Sequence, residues 1–227
     1  MDPDLRDRML RYYDERAPEY EEAYVHGTGT ASIPDPEVFR REARVLGGIV
    51  ERVAQGRFLD LACGTAYWLP RYAARCSGIT LFDQSEKMLK EAATKAAALG
   101  IARRCTIARG DFFEYTFTAA AHDSALAGFF LSHLTEAQEE LLFATLKRVL
   151  VPSGRFLILD SAWSTERARF NAKVERQQRQ LNDGTRFDIY KRYCDEEDIA
   201  AWATKYRVNL SVEYFGTAFF AVSGSFM

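Results

Sequence analysis

The chain has little that could staple or anchor it. Its four cysteines (Cys63, Cys76, Cys105, Cys194) stand far apart, with no CxxC or CxxH spacing. That pattern argues against a zinc cluster or a disulfide framework, and no metal is expected. It fits reduced thiols in a cytoplasmic protein. No apolar run approaches the ~18 residues of a membrane span. The start is charged (Asp2, Asp4, Arg6, Asp7, Arg8), unlike a secretory signal. An excess of one charge is also missing: 30 Lys and Arg oppose 32 Asp and Glu. A broad phosphate-neutralising surface for nucleic acid is therefore not expected. Repeats and low-complexity tracts are absent. With 48% apolar residues, 227 positions suit one sizeable α/β core and are too few for two comfortable domains. A monomer or homodimer is expected.

Residues 4–16 have helical spacing, with Leu5, Met9, Tyr12 and Tyr13 on one face and Pro18 interrupting. Residues 26–36 gather Gly, Ser, Thr and Pro and read as a loop. An amphipathic helix over 37–54 buries Val38, Ala43, Val45, Leu46, Ile49 and Val50. Strands and helices then alternate: strand 58–62, helix 66–76, strand 78–82, helix 85–99, strand 105–108, strand 123–130, helix 135–150 and strand 155–159. Ser85 fits an N-cap and Gly100 a helix stop. Thr135 with Gln138 forms a capping-box pattern. Val151–Gly154 reads as a turn. Such alternation predicts a parallel sheet covered by helices on both faces. The last third departs from it. Residues 165–181 read as a polar helix, Asn182-Asp183-Gly184 as a turn, 185–193 as a strand and 195–205 as a helix capped by Asp195. A closing hairpin, 208–215 with 218–222, turns at Gly216-Thr217.

Ligands of open α/β sheets bind at the carboxyl ends of the strands. Those ends carry Asp60-Leu-Ala-Cys-Gly-Thr-Ala66, then Asp83, then Gly110-Asp111-Phe112, then Gly128-Phe-Phe-Leu-Ser-His133. A small-residue turn admits close approach of a ligand to backbone, and the next helix points its N-terminus there. An acidic residue about twenty positions on suits ribose hydroxyls. The GxGxxG of a dinucleotide site is not present, and Asp83 alone would also suit a solvated turn. The weight lies in the ordered set.

That set, Leu59-Asp-Leu-Ala-Cys-Gly-Thr65, Phe82-Asp-Gln-Ser-Glu-Lys-Met88, Gly110-Asp-Phe112 and Leu146-Lys-Arg-Val-Leu-Val-Pro-Ser-Gly154, resembles the motifs of class I methyltransferases that use S-adenosylmethionine (SAM). The resemblance spans roughly residues 10–224. It implies a Rossmann-like, seven-stranded, mostly parallel sheet with an antiparallel last strand, and release of S-adenosylhomocysteine. It also implies one domain: a helical lid (1–36), a SAM-binding core (37–162), a substrate-side insertion (163–206) and the hairpin (207–227). The Tyr12–Tyr20 start resembles lids of small-molecule methyltransferases. By the same resemblance Asp60 orders the loop and reaches the cofactor's amino group, Ala62 and Gly64 approach the methionine moiety, and Asp83 and Gln84 serve the ribose. Met88, Gly110, Asp111 and Phe112 serve the adenine, while Tyr20, Trp68 and Phe129 line the site. Trp68 would equally suit the core, and Ala66 replaces the family's final glycine.

On the acceptor side, His133 is either a general base or a polar lining residue. His122 is expected at the surface, and His26 in a loop that enters on closure. Strand alternation sets Phe187, Ile189, Lys191 and Tyr193 on one side. A lysine in an inward row needs a carboxylate or an anionic ligand, unless it snorkels to solvent. Arg179 either faces the same place or lies on an exposed helix. This stretch resembles a subgroup that includes the phosphonate O-methyltransferase of dehydrophos biosynthesis. It implies a small anionic acceptor held by Arg179, Lys191 and Tyr193 and methylated on oxygen. N- or C-methylation of a neutral metabolite or quinone, or SAM binding without methylation, are the competing expectations.

Overall fold

The computed structural model describes residues 2–26, 33 and 35–227. Its frame is a seven-stranded sheet of order β3-β2-β1-β4-β5-β9-β8. The strands are β1 (Gly56–Leu61), β2 (Cys76–Asp83), β3 (Cys105–Arg109), β4 (His122–Gly128), β5 (Leu150–Ser161), β8 (Val208–Phe215) and β9 (Phe219–Phe226). The first five pair in parallel, and β9 runs antiparallel to both β5 and β8. The expected Rossmann-like sheet and its closing hairpin are thus present. Strand order reverses between β1 and β4, which opens a crevice at their carboxyl ends. Central strands are buried on both faces, so Leu59, Leu61, Ala125, Leu126, Ala127, Ile158 and Leu159 exclude solvent completely.

Helices cover both faces. On one side lie α3 (Pro36–Val53), the short α4 (Leu69–Tyr72) and α5 (Glu86–Ala98). On the other lie α6 (Glu136–Val149) and α7 (Glu196–Lys205). The capping residues act as the sequence implies: Ser85 caps α5, and Thr135 and Asp195 each form a reciprocal capping box. Gly100 takes φ +71° after α5.

Two further helices, α1 (Pro3–Arg16) and α2 (Glu22–His26), flank a 3-10 turn at Ala17–Glu19. The first lies against a two-stranded ribbon of β6 (Val174–Gln180) and β7 (Arg186–Arg192), and the second packs on α3. Leu5, Met9 and Tyr12 of α1 bury with Leu181 and Ile189 as a small separate core. Each such side chain contributes roughly 2 kcal/mol. The N-terminal helix and the insertion therefore pack as one unit over the sheet.

Several expectations are corrected. Residues 165–181 are not a helix: a 3-10 turn at Arg167–Arg169 leads into β6. The Asn182–Gly184 turn folds this polar segment back, and pairing from Val174↔Arg192 to Gln180↔Arg186 overrides its local preference. The helix over 66–76 shrinks to α4 and a 3-10 turn at Ala73–Arg75, because Ala66 takes φ +53° and α4 starts only at Leu69, with Pro70 in its first turn. Val151–Gly154 lies within β5 rather than in a turn. His26 ends α2 instead of opening a loop, and is exposed; residues 27–32 and 34 of that stretch lie outside the described residues. Val45 is 40% exposed on α3, off the buried stripe. His122 is buried in β4, with Nε2 3.2 Å from Thr80 Oγ1, because it starts a central strand.

One carboxylate pins the closing hairpin to the helical layer. Glu42 of α3 is buried and accepts N–H groups of Thr217, Ala218 and Phe219 at 2.9–3.0 Å. Glu42→Ala leaves three backbone donors without this acceptor and is expected to cost about 3 kcal/mol. Urea unfolding measures the loss.

Candidate active site

The crevice begins at the β1 turn. Cys63 N–H donates to Phe82 O, and Gly64 takes φ +54°. A Cβ on Gly64 would stand 3.7 Å from the Tyr20 ring and 3.8 Å from Met88 Sδ. Ala62 and Ala66 hold left-handed backbones of φ +56° and +53° where a glycine would be unstrained. Asp83, ending β2, clamps this turn. Its Oδ2 accepts Gly64 N–H at 2.8 Å and its Oδ1 accepts Ser85 N–H at 2.9 Å. Burial raises its pKa. The second lone pair on each oxygen suits a vicinal diol.

Around Asp83 lies a cavity of about 900 Å³ lined by Ala62, Gly64, Gln84, Met88, Gly110, Phe112 and Phe129, with Arg6, Met9, Tyr13 and Tyr20 above them. Most of the expected cofactor residues are thus brought together. Three are not in its lining. Asp60 lies beneath the turn, where Tyr72 Oη–H donates to it at 2.6 Å and burial pushes its pKa up to about 7. Trp68 is buried in the core on the α3 side. Asp111 accepts Phe113 N–H at 3.0 Å and pairs with Arg6 of α1.

The N-terminal unit is tied to this floor at several points. Ser85 Oγ–H donates to Asp14 at 2.8 Å. Thr65 Oγ1–H donates to Glu21 at 2.6 Å, and Lys95 Nζ joins Glu21 to Thr65 O. The tip of the β6–β7 ribbon completes the tie, with Asn182 N–H donating to Glu19 at 2.9 Å.

A second cavity, of about 650 Å³, adjoins the first and shares Tyr13, Tyr20, Phe129 and His133 with it. Phe129 separates them with φ +57°, a strained backbone for an aromatic residue. Four cations face this second cavity: Arg16, Arg167, Arg179 and Lys191. No carboxylate lines it among the described residues. Lys191 is buried rather than snorkelling. Its Nζ–H donates to Ser132 Oγ at 2.6 Å and lies 3.8 Å from Asp160, itself buried behind the wall. Burial lowers its pKa from 10.5 to about 8, against the pull of Asp160. Arg179 sits on β6 and donates to Gln177 Oε1 at 2.6 Å, while its buried Nε has no partner.

His133 is pressed well below its ordinary pKa, first by burial and then by Lys191. Its Nδ1 faces Tyr190 O at 2.9 Å, and a carbonyl only accepts, so Nδ1 carries the proton. Nε2 therefore accepts Tyr13 Oη–H at 2.6 Å. Tyr193 does not line the cavity; it is fully buried, stacks on Trp163 and carries the Arg167 guanidinium over its ring at 4.4 Å. Sequence reasoning missed Arg16, Arg167 and Tyr13. Arg16 was legible only as a helix-terminal charge, and Arg167 lay in a stretch read as helix.

The strand order and the clamped turn are those of the class I methyltransferase fold, and the likenesses that follow support an enzyme that takes its methyl group from S-adenosylmethionine. Residues 58–154 match the family model described as a methyltransferase domain. An uncharacterized methyltransferase of Geobacillus kaustophilus is 24% identical over 87% of this chain and 84% of its own. A ubiquinone/menaquinone biosynthesis C-methyltransferase of Cereibacter sphaeroides is 28% identical over 63% of this chain and 62% of its own. Among solved structures, a DhpI–SAM–HEP complex superposes with a TM-score of 0.78 at 21% identity, covering 99% of both chains. No helix among the described residues is long and apolar enough to cross a membrane.

Ala62→Gly relieves a left-handed alanine in the cofactor turn. It is expected to stabilise the protein by about 1 kcal/mol. Thermal unfolding without ligand measures the gain.

Proposed function

We propose that this chain methylates a small anionic molecule on oxygen, and that the acceptor occupies the cation-lined cavity. The carrying observation is the convergence of Arg16, Arg167, Arg179 and Lys191 on one space that no described carboxylate lines. Buried cations are costly unless paired, and an anionic ligand supplies the missing partner. Arginine offers a planar fork to an oxyanion, and lysine a point charge. The likeness to the DhpI complex supports the same reading.

In this reading Asp83 holds the cofactor's ribose, with Gln84 beside it. Met88, Gly110 and Phe112 enclose the adenine, and Ala62, Gly64, Tyr20 and Phe129 the methionine end. The bound cofactor supplies a methyl group on a positively charged sulfur. The chain's own contribution is alignment and exclusion of water, which can be worth several kcal/mol. An acceptor bound as its anion needs no base. His133 then serves as the fixed acceptor for Tyr13, holding the lid tyrosine at the boundary between the two cavities. Residues 2–26 of the lid and 163–206 of the insertion are the parts that cover the site.

The quinone methyltransferase among the relatives favours a second reading, carbon methylation of a neutral ring. A panel of carboxylates, phosphonates and quinols, assayed by S-adenosylhomocysteine formation, separates the two. Arg179→Ala with Lys191→Ala is expected to lower kcat/KM for the anionic acceptor by about 100-fold or more. Undiminished turnover in that double variant, or turnover confined to neutral acceptors, would overturn the reading.

Lys191 sets a pH dependence. Its proton leaves the folded protein near pH 8 and the unfolded chain nearer 10.5. Between these values the unfolded chain holds more protons, so stability rises with pH. Anion binding moves the opposite way. For an acceptor already ionised at pH 7, kcat/KM is expected to fall above about pH 8. Lys191→Arg should remove that inflection. Rate–pH profiles and denaturant unfolding at the same pH values check both limbs.

A further inference from the structure

Resting on the anionic-acceptor reading, we infer that the acceptor carries two negative charges and that Arg16 couples lid closure to the second of them. Three cations facing the second cavity are more than nine-tenths buried: Arg16 is 7% exposed, Arg167 4% and Lys191 7%. Arg179 adds a fourth, half-buried. Against them stands one buried carboxylate, Asp160, which is near Lys191. Neither Arg16 nor Arg167 has a carboxylate partner among the described residues. Arg167 is fixed by donating to Ala162 O and Ala218 O at 2.7 and 2.8 Å, bonds that orient the guanidinium without neutralising it. Arg16 donates to Tyr12 Oη at 2.5 Å and lies over the Tyr12 and Tyr20 rings. Residues 27–32 and 34 are Gly, Thr, Gly, Thr, Ala, Ser and Pro, so they bring no carboxylate either. One negative charge leaves this cluster heavily uncompensated, whereas two come closer to balance.

Arg16 differs from the other three in where it stands. Arg167 stands in the 3-10 turn after β5, and Arg179 and Lys191 in the ribbon, but Arg16 ends α1. The same helix covers the cofactor cavity with Arg6, Met9 and Tyr13. One rigid element thus roofs both cavities, and the acceptor's charge is what draws its cationic end down. The reaction also resets this contact. The acceptor oxygen's lone pair forms the new C–O bond while the C–S bond breaks, leaving its pair on a now neutral sulfur. No proton moves, and the acceptor loses one negative charge. The methylated product therefore holds Arg16 less strongly than the acceptor does, and the roof opens over both products together. Arg16 is a specificity residue that reads charge number.

The test uses full-length protein saturated with S-adenosylhomocysteine, where no turnover occurs. Hydrogen exchange of the α1 amides is followed with two matched pairs at pH 7.5: succinate against monomethyl succinate, and chloromethylphosphonate, whose electron-withdrawing chlorine keeps it a dianion at this pH, against its monomethyl ester. Each pair differs by one charge and one methyl group, and the two pairs separate a dicarboxylate from a phosphorus oxyanion. At least one dianion is expected to slow α1 exchange about tenfold or more beyond its ester. Arg16→Gln should reduce that dianion to the level of its ester, and Arg16→Lys should keep part of the difference. Exchange in β1 and β4 checks that each variant is folded; if Arg16→Gln is not, the Arg16→Lys result decides. Equal protection by dianion and ester, or a dianion preference unchanged in Arg16→Gln, overturns the inference while leaving an anionic acceptor in place. Protection by neutral quinols and by none of the four anions would overturn the underlying reading itself.

Discussion

The Asp83 carboxylate is the point on which the two halves of the site depend. One oxygen holds the Gly64 amide and so fixes the turn after β1; the other holds the Ser85 amide and so fixes the start of α5. Ser85 in turn donates a hydrogen bond from its hydroxyl to Asp14 of α1. Three segments from distant parts of the chain are thereby set against one another through two neighbouring side chains. These charge-assisted bonds lie in a buried setting, where they are stronger than in water. Loss of the clamp would loosen the cofactor turn and the roof together.

Strain and charge gather around this clamp. Of the five non-glycine residues with left-handed backbones among the described residues, Ala62, Ala66 and Phe129 lie in the turns after β1 and β4, while Ala120 and Arg207 stand elsewhere. The neighbouring cavity concentrates cations that a stability-driven core would avoid. Distant parts of the molecule offset these costs in ordinary ways: two large apolar clusters flank the sheet, and Glu42 and Glu139 pin peripheral elements. Glu139 receives Arg192 at 2.5 Å and the Tyr206 hydroxyl at 2.6 Å, which fastens the ribbon and α7 to α6. Arg167, Arg179 and Lys191 thus rest on a rigid back wall, while Arg16 arrives on α1.

The acceptor end explains why a shared fold leaves the reaction open. The sheet and the cofactor turn are common to many chemistries, and specificity lives in side chains that later segments bring to the rim. In this chain those segments are α1 and the β6–β7 ribbon, which pack on each other through Leu5, Met9, Tyr12, Leu181 and Ile189. Their contact joins the walls of the two cavities into one packed unit.

The sequence by itself determined the sheet, its closing hairpin and which strand-end residues gather at the crevice. Those features are written in local signals: apolar runs of strand length, caps at Ser85, Thr135 and Asp195, and the order of Gly64, Asp83, Gly110 and Phe112 along the chain. Only the tertiary structure decided the acceptor side. A polar segment such as Val174–Gln180 has no strong preference of its own, and its pairing with Arg186–Arg192 made it a strand. That pairing turned Arg179 toward the cavity. Arg16 and Arg167 look like ordinary surface charges until packing removes their water. His133 reads from sequence as either a base or a lining residue; the fold sets Tyr190 O on one nitrogen and the Tyr13 hydroxyl on the other. Periodicity records which face of an element is buried, but burial of a charge is a property of everything packed around it.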